Sequence, residues 1–156
     1  VGDIFMRPAA GPGSSYAYLG AEPQRAADGF ESIGDLGWFD EDGYLYIADR
    51  RLDLILRGGT NIYPAEVELA LETHPAVHSA VVIGLPDADL GQRVHALIEP
   101  SGEIGEAELR RHAAALLSAH KLPTSYEFIA HPLRDEGGKV RRSQYLQERL
   151  GAEVTT

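Results

Sequence analysis

Cysteine is absent from all 156 residues. That excludes a disulfide framework, a thiolate zinc site and thiol catalysis, and it suits a cytoplasmic setting. No apolar run approaches the roughly 18 residues of a membrane helix, so no membrane span is expected. No signal-peptide pattern is visible. Positive charge is scarce: 14 Lys and Arg stand against 24 Asp and Glu, a net charge of −10. That argues against non-specific nucleic-acid binding, which needs a broad basic surface. A local basic patch remains around Lys139, Arg141 and Arg142.

What remains is an ordinary globular composition, 44% apolar and 24% charged, long enough to bury a core. The chain opens at Val1 on a strand-like stretch, Asp3-Ile4-Phe5-Met6, and then turns loop-rich as far as residue 33. Pro8-Ala9-Ala10-Gly11-Pro12-Gly13-Ser14-Ser15 is a loop by composition. So much loop is uncommon in a self-sufficient domain and leads to the expectation of an entry into the middle of a larger protein.

Residues 34–50 read as a hairpin. Asp40-Glu41-Asp42-Gly43 makes the turn, and Tyr44-Leu45-Tyr46-Ile47 is rich in β formers. A charged junction follows at Ala48-Asp49-Arg50-Arg51-Leu52-Asp53, and a domain boundary is expected there. Beyond it, strand and helix alternate. Leu54-Ile55-Leu56 is a short apolar strand and Gly58-Gly59 a turn. Pro64 opens a helix to Thr73, with Glu66 in the favourable first turn and Val67, Ala70 and Leu71 on one face. His74-Pro75 closes it. Strands are expected from Val77 to Gly84, Arg93 to Glu99 and Ser125 to Ala130, with a turn at Pro86-Asp87-Ala88-Asp89. A helix from Glu106 to His120 points Leu109, Ala113, Leu116 and Leu117 inward. Ser143 is a good N-cap for a closing helix to Leu150.

Three positions could carry chemistry, and each has a plain alternative. Gly138-Lys139 lacks the fixed glycine spacing of a P-loop and its Ser or Thr, since Val140 follows the lysine. Lys139 is then either a mobile cation delivered to developing negative charge or a solvated lysine in a turn. Asp35, after Gly34, either accepts ribose hydroxyls or makes an Asx turn. Arg50 either assists it or forms a surface ion pair. His74 and His78 have the spacing of a helical zinc pair, but Pro75 breaks the helix between them, so no metal site is expected. His95 and His112 read as surface or boundary residues, and no Ser-His-Asp arrangement is apparent.

Together these pieces resemble the adenylate-forming (AMP-binding) superfamily, in particular its acyl-CoA synthetases. Gly34-Asp35-Leu36-Gly37-Trp38 with Asp42-Gly43-Tyr44-Leu45 is similar to the family's Gly-Asp motif. Asp49-Arg50 through Gly58-Gly59 and Asn61-Ile62-Tyr63-Pro64-Ala65-Glu66-Val67-Glu68 is similar to its hinge and glycine loop. Lys121-Leu122-Pro123 followed by Gly138-Lys139-Val140-Arg141-Arg142 is similar to its C-terminal lysine motif. Three departures stand out: Leu52 at the hinge where Asp or Lys is usual, Thr60 where Glu is common, and Ser32-Ile33 before the Gly-Asp pair where Thr is common.

The resemblance implies an α+β fold. A β-rich trailing edge of a large N-terminal domain (1–50) would lead through a hinge (51–53) into a small C-terminal lid domain (54–156), a three-stranded sheet flanked by helices. It implies an acid:CoA ligase that makes acyl-adenylate from ATP, used with Mg2+, and passes the acyl group to coenzyme A. Asp35 and Arg50 would bind the nucleotide, Lys139 would catalyse adenylation and Leu52 would be the hinge. Gly58, Gly59, Leu90 and His120 would meet coenzyme A. The phosphate loop, adenine pocket and acyl pocket belong to the N-terminal domain, so these residues alone are expected to be inactive. Two rivals are an adenylation domain that loads a carrier protein and a non-catalytic nucleotide- or CoA-binding module.

Overall fold

The computed structural model describes residues 1–11 and 24–153. Of the loop expected over residues 8–15, positions 12–15 lie outside the described residues. The chain divides into two compact units, Val1–Leu52 and Asp53–Thr156.

The first unit is an antiparallel sheet of β1 (Gly2–Met6), β2 (Glu31–Phe39) and β3 (Leu45–Arg50), in that order. The β2–β3 hairpin closes on Asp40. Its Oδ1 accepts the N–H groups of Asp42 (3.1 Å) and Tyr44 (2.8 Å), and these bonds hold its carboxyl below the usual range. Gly43 takes φ +83°, which a side chain would oppose. Trp38 pairs with Tyr46 in register and their rings stack at 5.4 Å. Among the described residues of this unit, Ile4 and Leu36 are the large apolar side chains that are buried, while Phe39, Tyr44 and Ile47 are exposed.

The second unit holds β4 (Ile55–Arg57), β5 (Thr60–Ile62), α1 (Pro64–Glu72), β6 (Val77–Asp87), β7 (Gly91–Pro100), α2 (Glu106–Leu116), β8 (Ser125–Phe128) and α3 (Arg142–Glu153). It is α+β as expected, but its sheet has five strands rather than three. The order is β5-β4-β7-β6, and β8 lies parallel to β7 on the edge that β4 reaches at Gly91. The strand left unread along the sequence is β5, whose three residues are too few to show a period of two.

Both faces of this sheet are covered. Ala80, Val82, Val94, Ala96 and Ile98 point towards α1 and α2, where Val67, Leu71, Leu109 and Ala113 meet them. Val81, Ile83, Leu85 and Leu97 point the other way, onto Ile129, Leu133 and the α3 residues Tyr145 and Leu146. Two-sided burial is why β6 reads as a continuous apolar run instead of an alternating one.

Several boundaries differ from the expectation. The β6 strand continues through Pro86 to Asp87, which proline tolerates on an edge strand. The α2 helix stops at Leu116, because Leu117 is extended, and a separate 3-10 turn covers Ala119–Lys121. Leu116 is therefore 56% exposed rather than inward. The α3 helix begins at Arg142, so Ser143 lies inside its first turn and is not the N-cap.

The outer edge of β6 is closed by side chains. The N–H of Val82 donates to Glu68 Oε1 at 2.8 Å and the N–H of Ala80 to Glu72 Oε1 at 2.9 Å. Both acids stand on α1, one turn apart.

Candidate functional site

In the first unit, the hairpin brings Asp35 and Arg50 together. They are direct partners across β2 and β3, and Arg50 Nε lies 3.7 Å from Asp35 Oδ1. The Arg50 side chain is 78% exposed, so the pair presents an acid and a base side by side to solvent. Leu52, the expected hinge, is 96% exposed within a 3-10 turn over Arg51–Asp53, and the first unit ends on it.

In the second unit, Gly58 and Gly59 form a two-residue hairpin turn between β4 and β5, with Arg57 opposite Thr60. Both have positive φ, +55° and +79°, as such a turn demands. This gives the glycines a geometric reason of their own. The turn is tied to two other expected positions. The Gly58 N–H donates to the Leu90 carbonyl at 2.8 Å, and Arg57 Nη1 donates to the His120 carbonyl at 2.8 Å. Leu90 is itself set by Asp87, whose Oδ1 accepts the N–H groups of Asp89 and Leu90; these bonds hold the Asp87 carboxyl below its usual range. Gly58, Gly59, Leu90 and His120 thus converge on one exposed rim.

Lys139 sits at the end of a second built turn. Asp135 Oδ1 accepts the N–H groups of Gly137 (3.0 Å) and Lys139 (2.9 Å). The Asp135 N–H donates to the Lys139 carbonyl at 3.0 Å, and the Gly138 N–H donates to the Asp135 carbonyl at 2.8 Å, with Gly138 at φ +74°. Four bonds fix the backbone, while Lys139 itself is exposed and no described residue forms an ion pair with its ammonium. Such a turn presents a cation to an anion from outside.

The ends of this segment are anchored by ion pairs that the sequence reading did not foresee. Arg134 donates to Ser79 Oγ (3.2 Å) and Glu72 Oε1 (3.4 Å). Arg142 donates to both oxygens of Glu68, at 2.8 and 2.7 Å, and to Asp53 Oδ2 at 3.0 Å. Glu68 is almost fully buried. Burial pushes its carboxyl up, and Arg142 opposes that shift more strongly than Arg134 does. The one sequence signal was position: Glu68 shares the inward face of α1 with Pro64, Val67 and Leu71.

The histidines correct one expectation. His95 is buried, 7% exposed, instead of lying at the surface or the boundary. Its Nδ1 lies 2.8 Å from Ser125 Oγ and its Nε2 lies 3.3 Å from Glu127 Oε2. Glu127 is held in turn by two parallel bonds from Arg149, so the group links β7, β8 and α3. Among the described residues, no group of three or more His, Cys, Asp or Glu side chains could hold a metal ion. No helix among them is long and apolar enough to cross a membrane.

Residues 66–138 match the AMP-binding enzyme C-terminal domain. The chain is 38% identical over 152 residues to a long-chain-fatty-acid–CoA ligase of Bacillus subtilis, covering 94% of this chain and 27% of that protein. The chain belongs to the adenylate-forming, AMP-binding family. Over 155 residues it is 40% identical to the fatty acid–[acyl-carrier-protein] ligase ScoC of Streptomyces coeruleorubidus, covering 96% of this chain and 29% of that one. A similar structure is o-succinylbenzoate CoA synthetase (MenE) of Bacillus subtilis with the acyl-adenylate OSB-AMP. It has a TM-score of 0.71 and 39% identity, over 76% of this chain and 24% of that one. ATP-bound MatB of Rhodopseudomonas palustris gives 0.74 and 34%, over 80% and 25%. The chain thus spans under a third of the length of these family members.

Proposed function

We propose that this chain serves as the C-terminal part of an ATP-dependent acid:CoA ligase. Residues 1–50 would be the trailing edge of its N-terminal domain, 51–53 its hinge and 54–156 its lid. A carboxylate attacks ATP, used with Mg2+, giving acyl-adenylate and pyrophosphate. The thiol of coenzyme A then attacks the acyl carbon and AMP leaves. Asp35 and Arg50 hold the ribose and phosphate, and rotation about Leu52 exchanges Lys139 for the Gly58-Gly59 rim. Leu90 and His120 then flank coenzyme A. The large N-terminal domain, with the acid, ATP and coenzyme A bound against it, is the partner of the lid, and the setting is cytoplasmic.

The observation that carries this reading is the presentation of Lys139: a bare ammonium on a turn whose backbone is fixed by four bonds. Two anions must meet in adenylation, and a positioned cation offsets their repulsion. In the full-length ligase, Lys139→Ala is expected to slow pyrophosphate formation by about 10²–10³-fold. Thioester formation from supplied acyl-adenylate should be spared. Equal loss in both half-reactions would sink the assignment.

A second reading concerns the acceptor. The likeness to ScoC, named as an acyl-carrier-protein ligase, covers nearly the whole chain. A phosphopantetheine arm on a carrier protein would then replace coenzyme A at the same glycine rim. Supplying acyl-adenylate with coenzyme A or with a loaded carrier protein, and measuring which thiol is acylated, separates the two. The relatives differ in their acids, 2-succinylbenzoate for one and long-chain fatty acids for another, so fatty acid metabolism is one of several settings.

A further inference from the structure

Arg142 stands three residues after Lys139, and its guanidinium joins two acids that are distant in the chain. One is Glu68, on the buried face of α1, which it grips through both carboxylate oxygens. The other is Asp53, which it reaches at 3.0 Å and which directly follows the exposed Leu52. Arg142 and Asp53 are themselves largely shielded, with side chains 17% and 22% exposed. A guanidinium holds such a geometry with a rigid planar fork, and a lysine ammonium cannot reproduce it. Glu68 is in turn bonded to the Val82 N–H, so the root of α3, the edge of β6 and residue 53 are tied at one point. The other end of the lysine segment is held to the neighbouring acid Glu72 through Arg134.

A loop used to carry a charge over a large rotation has a mechanical difficulty. If its root yields, motion of the chain at residue 52 is absorbed in the loop and the cation arrives poorly placed. A misplacement of about 1 Å can cost on the order of 10²-fold in rate. We propose that Arg142 is a positioning residue that clamps the chain leaving Leu52 to the root of the Lys139 turn, so that both move as one rigid arm. It touches no substrate. The inference rests on the reading of Lys139 and Leu52 given above.

A purely stabilising ion pair would affect the whole unit alike, whereas a clamp acts on one segment. The test therefore has two arms, each with Arg142→Lys and with Asp53→Asn, the second chosen because an isosteric change at a partly exposed acid leaves Glu68 paired. In the 156-residue chain, hydrogen exchange of the Gly138 and Lys139 amides is expected to speed up about tenfold, the loss of one charged hydrogen bond. Exchange of the β7 amides from Val94 to Ile98 should not change. In the full-length ligase, adenylation kcat should fall about tenfold with the KM for ATP unchanged and thioester formation intact. Unchanged exchange at Gly138 and Lys139, or a loss of protection spread evenly over β7, overturns the clamp. If Lys139→Ala blocks adenylation while Asp53→Asn leaves it normal, the positioning role is wrong. If Lys139→Ala spares adenylation too, the underlying reading of Lys139 is wrong.

Discussion

His95 places an ionisable ring among groups that restrict its charge. Ser125 and Glu127 lie against its two nitrogens, with Arg93 and Arg149 close by. Burial holds its pKa below the ordinary 6.5, and the contact with Glu127 only partly opposes that. Glu127 does not follow it into protonation near neutrality, because Arg149 keeps its carboxyl below the usual range. The folded state therefore binds a proton less readily than the unfolded chain. Stability is full above pH 6.5 and falls as the pH drops below it, until the folded ring protonates as well. Urea midpoints at pH 7.5 and 5.5 should show a drop in the wild type that is clearly smaller in His95→Gln. An equal drop in both would mean that another group governs the acid limb. The burial of His95 was not legible in the sequence, because a lone histidine between Val94 and Ala96 carries no sign of which face it takes. Asp35 and Arg50 were legible as residues of one hairpin but not as partners: the regular register from the turn would set Asp35 opposite Asp49, and a bulge between Leu36 and Gly37 brings Arg50 there instead. Glu68 and Arg142, 74 positions apart, were not, because only the packing of α1 and α3 about the sheet brings them together.

The α1 helix shows how an element can be plain in outline and hidden in its role. Pro64 and the His74-Pro75 pair mark its ends, and its apolar face is buried as the spacing requires. Nothing in that pattern says that its two inward acids serve β6. Removing a buried partner leaves a charge without compensation, so Glu68→Ala should cost about 3–5 kcal/mol in urea denaturation. Leu116→Ala, on the exposed end of α2, should stay within about 0.5 kcal/mol. A loss below about 1 kcal/mol for Glu68→Ala would show that Arg142 finds water or Asp53 sufficient. The elements that went unread were the short ones. The β5 strand has three residues, and its pairing depends on the positive φ angles of Gly58 and Gly59, which set its register. The end of α2 was overrun because Leu116 and Leu117 extend an apolar pattern that the backbone leaves at Leu117.

At the scale of the molecule, burial of the apolar side chains is uneven among the described residues. The second unit buries two layers of them around its sheet, while the first leaves Trp38, Phe39, Tyr44, Tyr46 and Ile47 at 44–69% exposure. Exposed Arg50 and Arg51 border the exposed Leu52, so brief trypsin treatment should cut there first. The product starting at Leu52 or Arg51 should keep its circular dichroism and thermal transition. Cleavage inside the second unit before that point would contradict its independence. Within it, the run Ala80-Val81-Val82-Ile83 has the composition of a fibril-forming segment, and it lies on a strand at the edge of the sheet. At Ala80 and Val82 the outward N–H groups are already engaged by Glu72 and Glu68. A strand arriving from another molecule would meet two carboxylates instead of vacant donors, so this adhesive stretch is kept from recruiting a second copy and seeding aggregation.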